Sequence, residues 1–265
     1  MSNINNFKKT DIYNELIKNI NIQNITEIYE KYDYYLIINN KEKKENMIIC
    51  DKQYSYKYIL FNNHNHDIIN EFIWENNMTI YNYYISEIDI CLFYKKDWFV
   101  VYKYDIVKYN EKNNITCALN ELLLNMNINI DMIDKNAVHY FALSHPYIQN
   151  IYSDDIYNLT YLFSCNKTNI TYVDEILNTN INKTQNILKF KCHDDFMDSL
   201  KNMNLQQTNT NNITIAGYKI ICNNEIFVFK TEATHEILLQ MPITKNINYC
   251  LLEMYQSDIL NNILP

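Results

Sequence analysis

Residues 83–107 read YYISEIDICLFYKKDWFVVYKYDIV. Two runs dense in β-branched and aromatic residues flank a short charged break, Lys95-Lys96-Asp97. That composition predicts a long β-hairpin, with strands over 79–94 and 98–107 and the turn at the lysines.

Outward from the hairpin, the spacing of Ile12, Leu16 and Ile20 predicts a helix within 10–30. Strands are expected over 33–39, 46–50 and 54–61, with a charged turn at KEKKEN and a polar loop over 62–70. CALNELLLNM at 117–126 has the pattern of an amphipathic helix. VHYFAL at 138–143 reads as a strand stopped at Pro146, whose missing N–H ends a ladder. Short strands are expected over 148–152 and 159–163, turning at Asp154-Asp155, and 172–178 fits a strand or a helix. HDDFMDSLKN at 193–202 begins with acidic residues that suit a helix N-terminus, and 203–212 reads as a polar loop. ITIAGYKIIC at 213–222 and EIFVFK at 225–230 form a second hairpin turning at Asn223-Asn224, and 233–261 reads as helical. We read one domain over 1–240, with 241–265 as its helical C-terminal extension.

The chain has 265 residues, 48 % of them hydrophobic, enough for a substantial core. All 23 basic residues are lysine, and glycine occurs once, at Gly217. With the abundance of Asn, Ile and Tyr, this points to a very AT-rich genome, such as that of a large DNA virus or a parasite. Asn must then take turn positions that glycine usually fills, since it tolerates left-handed backbone. The net charge of −8 argues against a generic nucleic-acid coat. The absence of Arg removes the bidentate phosphate clamp on which nucleotide enzymes usually rely. Seven scattered cysteines without CxxC spacing suggest reduced thiols and a cytoplasmic protein, in a host cell if viral. No apolar run approaches the roughly 18 residues of a membrane span, so no membrane partner is expected.

The order of three segments, YYISEIDICLFYKKDWFVVYKYDI, DKNAVHYFALSHPYIQNIY and ITIAGYKIICNNEIFVFK, resembles the RNA-ligase branch of the covalent nucleotidyltransferases, particularly ligase-like proteins of large DNA viruses. The match covers roughly residues 35–240. It rests on the anchors Phe93 and Trp98, then Phe141, Leu143, Pro146 and Ile151, then Gly217 and Lys230. The resemblance implies an α+β fold, an antiparallel β-rich nucleotidyltransferase core with flanking helices. It also implies a lysine nucleophile that must be held deprotonated, and carboxylates and lysines around a nucleotide and its metal. Several of those groups are absent from the matching positions. No Lys lies between Lys57 and Lys95, and Ser86, Glu87 and Asp89 occupy the strand that would present the nucleophile. Ala142 and Ala216 stand where acids are expected, and Gln149-Asn150 where an arginine is.

The resemblance thus implies a catalytically degenerate member that binds RNA, a nucleotide or a protein, with no cofactor assigned. Lys230, Lys103, Lys219 and His145 are its candidate nucleotide- or phosphate-binding residues. A second reading is an active ATP-dependent RNA ligase using ATP and Mg²⁺, with Lys95 of Lys95-Lys96-Asp97-Trp98 as nucleophile. A third is an unrelated viral structural or host-interaction protein.

Other constellations read as local structure. His64-Asn65-His66-Asp67 has metal-ligand types but no second cluster, so no metal is expected. Cys192-His193-Asp194-Asp195 reads as a helix start. His139 lacks the glycine-rich or cysteine-centred elbow of a nucleophilic enzyme, and one glycine cannot build a phosphate loop.

Overall fold

The structure is a computed structural model. It describes residues 2–3, 12, 14–16, 18, 25–41, 44–53, 57–64, 78–84, 87–102, 105–148, 156–166, 187–210, 214–222 and 225–234. The expected elements at 172–178 and over most of 233–261 and the turn at Asp154-Asp155 lie outside them, and of the strand expected over 148–152 only Ile148 is described, in a 3-10 turn over Pro146–Ile148.

The chain is mixed α/β with two mostly antiparallel sheets. In the first half the strands are β1 (Ser2–Asn3), β2 (Ile25–Lys31), β3 (Tyr34–Lys41), β4 (Lys44–Asp51), β5 (Lys57–His64), β6 (Thr79–Tyr84), β7 (Ile88–Lys95), β8 (Asp97–Tyr102) and β9 (Asp105–Lys108). Helix α1 (Asn114–Asn125) follows, then β10 (Ala137–Ser144), β11 (Asn158–Asn166), helix α2 (His193–Thr210), β12 (Ile215–Cys222) and β13 (Glu225–Lys230). The eight-stranded sheet has the order β1-β2-β3-β4-β5-β13-β12-β6, and the five-stranded sheet the order β11-β10-β7-β8-β9. Only the β13–β5 contact is parallel among the described pairings.

Alternation along the strands assigns the layers. Cys91 and Phe93 of β7 meet Leu36, Ile49, Tyr81 and Ile221 of the larger sheet in one core between the sheets. The intervening Ile90 and Leu92 point the other way, onto Leu119, Leu122 and Leu123 of α1. With both faces covered, β7 reads as a continuous apolar run rather than an alternating one. Phe196 and Leu200 of α2 cover the outer face of β12 and β13, and Ile12 and Leu16 cover the outer face of β2–β4.

The expected β7–β8 hairpin is present and turns at Lys96. The 79–94 run is two strands, however: β6 lies in the large sheet and β7 in the small one. The 98–107 run likewise divides into β8 and β9. Residues 25–30, the end of the 10–30 span expected to be helical, lie in strand β2, where Ile28 packs with Ile12 and Leu16. The polar stretch from 203 is helical as far as Thr210. There Gln207 faces β12, donating to the Ile215 carbonyl and accepting from Thr231. Left-handed backbone does not fall on Asn alone: besides Asn127, Tyr32 (φ 53°) and Lys96 (φ 62°) adopt it.

Candidate functional site

Strand β12 sends Lys219 across the interior between the sheets. Its neighbours in register are Val228 of β13 and Tyr81 of β6. The ammonium donates to the carboxylates of Glu87 and Asp89, at the start of β7 in the opposite sheet. Glu87 and Asp89 are two residues apart, a spacing that puts both on one strand face. The Lys219 and Glu87 side chains are each 1 % exposed and Asp89 18 %. One ammonium balances one carboxylate; burying a second negative charge is costly. Burial accordingly pushes Glu87 up to about 7, against the pull of Lys219. The two carboxylates outweigh burial at Lys219 and hold its amine above the ordinary lysine value, so it is protonated.

Around this triad stand other residues singled out in the sequence. Ala142 of β10 lies directly opposite Asp89 in register. Lys230 pairs with Gly217 across β12–β13, and its amine lies 5.9 Å from the centre of the Tyr83 ring, with that of Lys219 at 5.4 Å. Burial lowers the Lys230 pKa, and Lys230 makes no ion pair among the described residues. Strands from all three resembling segments therefore meet at one end of the space between the sheets. The signal for the triad was in the sequence, as Glu-x-Asp and a lone Lys in an apolar strand, but nothing local paired them.

His145 is not part of this group. It follows β10 on the α1 side of the small sheet, buried beside Tyr147 and Tyr157. Its Nδ1 accepts the Tyr147 N–H at 3.1 Å, and its Nε2 lies 3.3 Å from a Glu121 carboxylate oxygen. The alignment of that contact is not that of a hydrogen bond. Lys103 lies outside the described residues, as do Asn65, His66 and Asp67. Among the described residues no group of three or more His, Cys, Asp or Glu gathers to hold a metal. His193 and its acidic neighbours open α2, where Asp195 accepts the Lys191 N–H.

A serine–histidine contact exists but is structural. Tyr161 donates to Ser164 at 2.9 Å, Ser164 donates to His139 Nδ1 at 2.6 Å, and His139 Nε2 donates to the Asp134 carbonyl at 2.8 Å. His139 and Ser164 are both fully buried, so no substrate reaches them.

Lys95 lies at the far end of β7 from the triad. It is six positions along the strand from Asp89, roughly 20 Å. It pairs with the buried Asp51 at 3.3 Å and lines a cleft of about 420 Å³. No helix among the described residues is long and apolar enough to cross a membrane. Compared with models of known protein families and with curated proteins, the chain matches none.

Proposed function

We propose that this chain is an RNA-ligase-like nucleotidyltransferase-fold protein that does not form a lysyl-nucleotide and acts by binding a nucleotide, a nucleic acid or a protein. The observation that carries the reading is the Lys219–Glu87–Asp89 triad. At the strand start where the resemblance would place a nucleophilic amine, the groups present are carboxylates. The amine that reaches them from β12 is protonated and enclosed, whereas attack on a phosphorus atom needs a neutral, accessible one. Ala142, opposite Asp89, adds no acid to hold a metal. Lys230, half-buried and without an ion pair among the described residues, is the amine best placed there to meet an anion.

The test is incubation with α-labelled ATP or GTP and Mg²⁺, followed by denaturation and a count of protein-bound label. No covalent label is expected. Label that survives denaturation and disappears in Lys95→Ala would establish the active-ligase alternative and overturn the proposal.

A further inference from the structure

We propose that the cleft at the Lys95 end of β7 is a binding site for a nucleoside monophosphate. This inference does not rest on the fold resemblance, and its site is remote from the Lys219 triad. At about 420 Å³ the cleft is within the range of small-ligand pockets. It opens between the β2–β3 turn, the end of β4 and the β7–β8 turn. Tyr34 and Phe99 are buried in its wall, while Lys95 and Lys96 are exposed at its mouth.

Three kinds of group meet there. Lys52, Lys95, Lys96 and Lys108 supply positive charge in an acidic protein. Lys52, Lys95 and Lys108 are paired with Glu30, Asp51 and Asp97, but Lys96 makes no ion pair among the described residues. Asp33 supplies a carboxylate, which accepts from hydroxyl groups, while the buried Asp51 holds Lys95 at the cleft. The half-buried Tyr32 supplies an aromatic surface beside Phe99, their ring centres 5.7 Å apart. A ligand using all three carries an anion, a pair of hydroxyls and a planar ring. A nucleoside monophosphate has those parts: phosphate for Lys95 and Lys96, ribose hydroxyls for Asp33 and the base for the Tyr32 ring.

Backbone strain falls at the same place. Of the three non-glycine residues with positive φ among those described, Tyr32 and Lys96 both line this cleft. A tyrosine in that region is a marked departure from ordinary backbone, and such departures concentrate at ligand sites. Tyr32 is held there by donating to Glu111, at 2.7 and 2.8 Å from its two carboxylate oxygens.

The experiment titrates the full chain with AMP, adenosine and inorganic phosphate by calorimetry. Saturable AMP binding is expected, about tenfold or more tighter than either fragment. Lys96→Asn should weaken it about tenfold without lowering the melting temperature, because Asn accepts left-handed backbone, and Lys95→Gln should act in the same direction. Absence of saturation at millimolar AMP, phosphate binding as tightly as AMP, or unchanged affinity in both variants overturns the proposal. Loss of AMP binding in Lys230→Ala with Lys96→Asn unaffected would also overturn it, and would place the ligand beside the triad. Covalent labelling is read separately, so failure of one proposal leaves the other standing or falling on its own result.

Discussion

Replacing Lys219 by Met removes the cation that Glu87 and Asp89 share between the sheets. Breaking a buried ion group from one side costs about 3–5 kcal/mol, so Lys219→Met should lower stability by that order in urea unfolding at neutral pH. Adding Glu87→Gln and Asp89→Asn should restore part of it. Glu87 also predicts a pH dependence. Its folded value, about 7, lies above its ordinary value of 4.5, so between these the folded chain holds a proton that the unfolded chain has released. Its contribution to stability is complete below the ordinary value and is lost as pH rises through the folded one. Unfolding free energies measured from about pH 5 to about pH 8 should fall with pH in the parent and flatten in Glu87→Gln. All three residues were visible in the sequence as oddities. Their pairing was not, because Lys219 lies 132 and 130 residues from its partners, and local pattern carries strand type rather than strand partner.

At the level of elements, Gly217 is the point where β12 leaves no room for a side chain against β13. A Cβ placed there would lie 1.9 Å from the Phe229 carbonyl oxygen, and the β12–β6 register also shifts between Ile215 and Gly217. Gly217→Ala should destabilise the chain by about 3 kcal/mol, read as a lower denaturation midpoint with an unchanged slope. The hairpin of these strands was legible from two apolar runs around Asn223-Asn224. Helix α1 was legible too, extended at its start by Asn113, whose side chain accepts from Ile115 and Thr116. The second half of α2 was not. Its residues are mostly polar, and its anchors are distant in sequence: Gln207 on Ile215 and Thr231, and Asn204 accepting from the Ala233 N–H. Periodicity also could not divide 79–94 into β6 and β7, since residues on both sides of the break are strand formers.

At the scale of the molecule, two stacked sheets with helices on their outer faces follow from the abundance of strands covered on both sides. The mixed class was readable from composition and pattern, but the distribution of strands between sheets was set by contacts distant in sequence. The stacking leaves two polar ends on β7. One is filled by the protein's own charges around Lys219; the other, around Lys95 and Lys96, is open. In the AMP titration, loss of binding in Lys230→Ala points to the first end and loss in Lys96→Asn to the second, so the same series of variants tells the two ends apart.

The parallel contact between β5 and β13 joins Asn63 and His64 to Ile226 and Phe227. During synthesis, β5 therefore has its neighbour β4 long before it has β13. For more than a hundred and fifty residues of elongation the emerging sheet keeps an unmatched edge, the kind of surface on which nascent chains mispair. Among the described residues, the β12–β13 hairpin, made late, is the one that seals it.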